Sequence, residues 1–174
     1  MKPGLKYGLI AAAGLSAWTL CEYALGLHTT RIDLGRYTGW GADLIFILVL
    51  WHLLRGTLHQ PNRNWLPVWE GLWHGAVVSL VAAMGYYVFL SIYLHLINPD
   101  YVDLMLESQV AHLRATGKAE ADIRMAARAF RWSMGPVGLP VTVFGYCLLI
   151  GVIASPLLTL WLNWRRREEP IHTD

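Results

Sequence analysis

The 174-residue sequence predicts an all-α protein, a four-helix transmembrane bundle with an amphipathic helical hairpin between the third and fourth spans. Three observations carry that expectation. Four apolar stretches, at about 7–27, 40–58, 72–97 and 137–162, are each long enough to cross a bilayer, which takes about 20 mostly apolar residues. Hydrophobic residues make up 55% of the chain and charged ones only 15%, with a positive mean hydropathy, a membrane-like rather than a globular balance. Between the third and fourth stretches, at about 99–134, the pattern changes to one apolar face against a charged one. Hydrocarbon cannot hydrogen-bond the backbone, so each spanning stretch must be a helix that satisfies its own peptide groups. The whole chain, 1–174, reads as a single membrane domain.

The start, Met1-Lys2-Pro3-Gly4-Leu5-Lys6, has the outline of a signal peptide. The apolar run after it is too long for a typical signal core, and Leu25-Gly26-Leu27-His28 offers no small-x-small cleavage site, so it reads as a retained first span. A short connector at 28–39 carries Arg31, Asp33 and Arg36. The second span has Asp43 near its start and Arg55 near its end. A polar loop, His59-Gln60-Pro61-Asn62-Arg63-Asn64, then leads to Trp65, Trp69 and Trp73, which suit the headgroup level.

At the end of the third span, Asn98-Pro99-Asp100 reads as a helix start: Asn as N-cap, Pro at the first helical position, an acid in the first turn. The helix it opens puts Val102, Leu106, Val110 and Leu113 on one face, and Gly117 should stop it. A second short helix aligns Ile123, Ala127, Phe130 and Met134 opposite Glu120, Arg124, Arg128 and Arg131, with a Glu120–Arg124 pair expected at helical spacing. Gly135-Pro136 breaks the chain before the fourth span. The hairpin reads most plainly as a solvated cap on the bundle, since amphipathicity only requires some apolar surface to lie against. A sharper reading makes it a docking element for a partner or for lipid, through Arg124, Arg128, Arg131 and the interfacial Trp132. Pro140 falls in the first turn of the fourth span, and Pro156 should kink that helix or be accommodated by its neighbours.

An even number of spans puts both termini on one side. Arg165, Arg166 and Arg167 abut the end of the fourth span, where the positive-inside bias is strongest, so both termini are expected in the cytoplasm.

The chain resembles an uncharacterised family of bacterial integral membrane proteins, domain of unknown function 4199. The resemblance rests on Leu5-Lys6-Tyr7-Gly8-Leu9-Ile10, on Glu22-Tyr23-Ala24-Leu25-Gly26-Leu27-His28, on Trp69-Glu70-Gly71-Leu72-Trp73-His74-Gly75 and on Ile97-Asn98-Pro99-Asp100-Tyr101. It implies four spans with the same long connector and a place in the bacterial inner membrane. It brings no catalytic motif, so no functional residue is carried over. Trp73 and His74 depart from the smaller or basic polar residues that the family pattern implies there.

Ionisable side chains inside a span are costly and therefore functional candidates. Depth sorts five of them. Glu22, Asp43 and His95 fall near the outer face, where carboxylates with an imidazole could exchange protons or weakly hold a metal such as Zn or Mn. The plainer reading is three polar groups wetted at the headgroup boundary. His52 and His74 fall near the inner face and could meet across the second and third spans, although two histidines make no recognisable site. The glycines of Gly71-Leu72-Trp73-His74-Gly75 and of Gly35-Arg36-Tyr37-Thr38-Gly39 match a helix-packing spacing, but only the first is on a spanning helix. Cys21 and Cys147 read as buried hydrophobes.

No hydrolase, zinc-protease, phosphate-loop or dinucleotide motif is present, and no cofactor or resident metal is expected. A net charge of +2 with no basic run among aromatics excludes a case for nucleic acid. The expected partners are the bilayer and either a second copy or another membrane protein. The leading expectation is thus a non-enzymatic accessory or scaffold subunit. The alternatives are a small oligomeric transporter using the acid–histidine cluster, and a lipid-headgroup-binding protein.

Overall fold

Small side chains decide how the long helices meet. The computed structural model describes residues 2–35, 37–60, 63 and 65–168. Arg36, Pro61, Asn62, Asn64 and the side chain of Arg167 lie outside the described residues. Among those described, seven α-helices and one π-helical turn form and no strand does. The helices are α1 (Pro3–Ala24), α2 (Ile32–Gly35), α3 (Trp40–Leu58), α4 (Val68–Ile92), α5 (Tyr101–Ala115), α6 (Glu120–Met134) and α7 (Gly138–Glu168). The π turn, Tyr93–Ile97, continues directly from α4.

Helix α4 packs most extensively on α7 and on α1, while α3 packs on α1 and α7 and barely touches α4. A Cβ added at Gly4 or Gly8 would meet Val77 or Val81, and one added at Gly85 would meet Ala12. Positions along α1 thus rise in step with those along α4, so the two helices run parallel. Between α4 and α7 the order reverses: Gly71 lies against Thr159, Gly75 against Ser155, and Ser79 against Gly151. Two seams of small residues at four-residue spacing therefore bring the backbones close, as packing without large side chains requires. The Gly71–Gly75 pair is accordingly occupied by α7 of the same chain. The hydroxyls of this seam turn back on their own helices, Ser79 to the Gly75 carbonyl at 2.6 Å and Thr159 to the Ser155 carbonyl at 2.8 Å.

Where the long helices converge, the interior is filled by Ala11, Leu15, Phe46, Leu50, Val78, Ala82 and Ala83. Leu9, Leu48, Met84, Val88, Ile153 and Leu157 point outward instead and are exposed. Apolar surface of this extent is not left in water by a monomeric soluble protein. Three helical stretches, Ile32–Leu58, Val68–Ile97 and Gly138–Arg166, are long and apolar enough to cross a membrane. Together with the outward apolar surface they fit a membrane protein. Helix α1, the first of the four expected spans, is not among them: on its buried face Gly4, Gly8, Thr19 and Glu22 lower its hydropathy.

Several boundaries differ from the sequence reading. Helix α1 stops at Ala24 because Gly26, at φ +75°, closes it with a left-handed turn. The Gly26 amide donates to the Tyr23 carbonyl and the Leu27 amide to that of Glu22, the paired bonds of a Schellman motif. Gly117, at φ +73°, ends α5 in the same way, as expected. Helix α5 begins at Tyr101 rather than at Pro99, because Asn98 is buried and its amide is used elsewhere. Helix α4 begins at Val68, directly after Pro67, and α7 runs through Pro156 to Glu168 without interruption. Asn163 pins the loop before α4 to α7, accepting from the Leu66 amide at 3.0 Å and donating to its carbonyl at 2.8 Å.

The hairpin of α5 and α6 rests on the π-turn end of the long helices. Tyr93, Leu94 and Val102 form a small core there, joined by Phe130 and Leu139. Asp103 and Arg131 tie α5 to α6 at 3.2 Å.

Candidate functional site

The most connected polar group in the interior is a chain of side chains at the end where α1, the π turn and the α1–α3 connector meet. It is built by two local devices. The Gly26 turn reverses the backbone just after α1, which returns His28 to within 3.4 Å of Glu22, Nε2 to Oε2. The π turn adds a residue to the last turn of its helix and so buries Tyr93 while leaving His95 exposed.

From there the bonds run in one direction. Asn98 Nδ2 donates to the Tyr93 hydroxyl at 3.1 Å and to the His28 carbonyl at 3.2 Å. The Tyr93 hydroxyl meets His28 Nδ1 at 2.7 Å. With the tyrosine proton on that bond, His28 carries its own proton on Nε2, facing Glu22. Thr38 donates its hydroxyl to the other carboxylate oxygen of Glu22. In that tautomer each donor of the chain meets an acceptor. Glu22, His28, Tyr93 and Asn98 are all buried, and the Tyr101 ring lies against the His28 ring, tilted by 42°, at 4.5 Å between centroids. Burial pushes the Tyr101 phenol above the ordinary tyrosine range. Chemically, the arrangement can hold a charge away from water or relay a proton between a phenol, an imidazole and a carboxylate.

The sequence had grouped Glu22 with Asp43 and His95. The structure brings Glu22 to His28 and Thr38 instead, and among the described residues no bond joins Glu22 to Asp43 or His95. His95 is exposed and bonds the Ser91 carbonyl of its own helix at 2.7 Å. Asp43 accepts from the Tyr146 hydroxyl at 3.2 Å, at the side of a cleft of about 340 Å³ lined also by Leu15, Phe46, Tyr86 and Cys147. The inner pair is likewise apart. His52 lies on α3 beside Tyr7 and Trp51, whereas His74 faces Glu70 on α4 at 3.7 Å, with Arg63 on the same carboxylate at 2.6 Å. The cause is the packing order, since α3 and α4 are diagonal partners. Among the described residues no group of three or more His, Cys, Asp or Glu side chains could hold a metal ion.

On α6, Arg124, Arg128, Arg131 and Trp132 are all exposed. Arg131 is paired to Asp103, and Glu120 pairs with Arg114 at 3.2 Å rather than with Arg124. The network residues that sequence reasoning missed are His28, Thr38, Tyr93 and Asn98. A signal for one of them existed: Glu22-x5-His28 spans Gly26, the residue most able to fold the pair together.

No curated relative and no solved structure matches the chain. One family does, described as "Protein of unknown function (DUF4199)", over residues 6–163. That match runs from the first turns of α1 to within the last turns of α7 and includes every residue of the buried network, and the chain belongs to the DUF4199 family.

Proposed function

We propose that this chain is a four-span protein of the bacterial inner membrane, with both termini in the cytoplasm, that works by association. In this reading it is a non-enzymatic accessory or scaffold subunit, paired with a second copy or with another membrane protein. The fourth span is α1, which lies parallel to α4 along its length and shares a continuous small-residue seam with it. The hairpin of α5 and α6 is then an extramembrane cap over the outer end.

One observation carries the choice of association. Leu15 and Phe46 floor the cleft at Asp43, and Leu50, Val78 and Ala82 continue from them as a packed apolar core between the helices, which favours a filled bundle over a substrate path. The Glu22–His28–Tyr93 chain lies to one end of that plug, where it locks the connector and the hairpin onto the long helices. Cross-linking in native membranes should return a species heavier than the monomer; recovery of monomer alone would count against the reading. Labelling of single cysteines placed at each terminus, on membranes of known sidedness, tests the topology.

The Asp43 cleft favours a second reading, a small oligomeric transporter coupled to protons or to a metal through acid and histidine groups. It requires that Glu22→Ala and Asp43→Ala abolish flux in reconstituted vesicles. Unchanged flux would remove it.

A further inference from the structure

We propose that the cytoplasmic ends of α3 and α7 form a binding site for the phosphate of an anionic membrane lipid. The inference rests on the membrane placement and the topology proposed above and is independent of whether the protein acts by association or by transport.

A cleft of about 160 Å³ opens between the two helix ends, lined by Trp51, Arg55, His59, Trp161, Arg165 and Arg166. Arg55, Arg165 and Arg166 thus line one small space, and among the described residues no carboxylate lines it. Among the described residues none of the three makes an ion pair, in contrast to Arg63, Arg114 and Arg131, each of which has an acidic partner.

The three arginines are also held in place. Arg55 lies over the Trp51 ring and Arg165 over the Trp161 ring, both at 5.1 Å from the centroid. Arg166 donates to the Leu58 carbonyl at 2.6 Å, which caps the open end of α3 and leaves its other N–H groups available. His59 donates Nδ1–H to the Arg55 carbonyl at 2.8 Å, leaving Nε2 as its unused ring nitrogen. Stacking fixes the planar forks and lowers the entropy lost when a phosphate is gripped by two parallel bonds.

Position selects the source of the phosphate. Two tryptophans border the cleft, and tryptophan settles at the headgroup level, where lipid phosphates are concentrated. In the proposed topology this end faces the cytoplasmic leaflet, whose anionic lipids give it a negative surface potential. Outward apolar side chains of α7, such as Leu157 and Leu160, continue from the cleft toward the membrane centre, a surface on which acyl chains can lie.

The test uses the full chain in phosphatidylcholine nanodiscs containing a minority of phosphatidylglycerol, released into the gas phase for native mass spectrometry. The wild type should retain phosphatidylglycerol over phosphatidylcholine. Loss of one charge-assisted contact is worth about tenfold in binding, so Arg55→Gln/Arg165→Gln should reduce that preference by at least about tenfold. Arg124→Gln/Arg128→Gln on the hairpin should leave it unchanged, and millimolar inorganic phosphate should not displace the lipid. A wild type without preference, a double variant with the full preference, or displacement by free phosphate would each overturn the proposal. Arg55→Gln alone, at an exposed site, serves if the double variant does not fold.

Discussion

Gly75 is a position at which one added carbon should be costly. A Cβ there would overlap the Ser155 side chain and lie 3.0 Å from the Gly151 carbonyl oxygen. Ordinary contacts need about 3.5–4.0 Å and the Ser155 Cβ would lie at 2.3 Å, so α4 and α7 would have to separate by about 1.2–1.7 Å along the seam. Overpacking costs about 1–3 kcal/mol, and an overlap this deep falls in the upper part of that range, about 2–3 kcal/mol. Alanine gains back about 1 kcal/mol of helix propensity over glycine, which leaves a net loss of about 1–2 kcal/mol for Gly75→Ala. Gly56→Ala is the control, because nothing lies within 4 Å of its added carbon and only the propensity gain applies. At about 2–4 °C per kcal/mol for a chain of this length, Gly75→Ala should melt several degrees below Gly56→Ala in the same detergent. The pair Gly75→Ala/Ser155→Gly should recover part of the loss, with a coupling of about 1 kcal/mol in the double-mutant cycle. A Gly75→Ala protein that melts at or above the wild-type temperature would refute the close α4–α7 seam.

Replacing His28 with alanine takes from Glu22 and Tyr93 the partner they share, and leaving two buried polar groups without it should cost about 2–4 kcal/mol. His95→Ala, at an exposed side chain bonded to its own helix, should stay within about 0.5 kcal/mol of wild type by the same melting assay. Gly26→Val forces a branched residue into a left-handed turn and should cost about 1–2 kcal/mol. Because that turn delivers His28 to Glu22, hydrogen exchange at Leu27 and His28 should also rise. Asn163→Leu leaves both backbone groups of the buried Leu66 without partners, for a loss of about 2 kcal/mol or more, and should expose the loop before α4 to protease. Ser155→Ala removes a buried hydroxyl that has no hydrogen-bond partner among the described residues and should be neutral or stabilising on heating.

How much of this was legible in the residues follows from what each signal encodes. Runs of Leu, Ile, Val and Ala longer than a soluble helix needs announce membrane helices, since composition and length are local properties. Gly117 as a helix stop and the amphipathic faces of α5 and α6 are local as well. Depth along a span is nearly local, since it follows from a residue's place in the apolar run. Rotation about the helix axis is not local. It made Glu22, Asp43 and His95 look like neighbours, although Asp43 turns toward Tyr146 and His95 toward solvent.

The sequence alone therefore determined the solvent, the helical class and the approximate ends of the long helices, because each residue's transfer preference acts wherever the residue goes. Which helices touch was decided by packing, through the placement of Gly4, Gly8, Gly71, Gly75 and Gly151 on particular faces. The buried network was decided by one left-handed turn at Gly26 and one π turn at Tyr93–Ile97, each of which moves a side chain by part of a helical turn. Such rotations are small in sequence and large in space, so only the folded backbone resolves them.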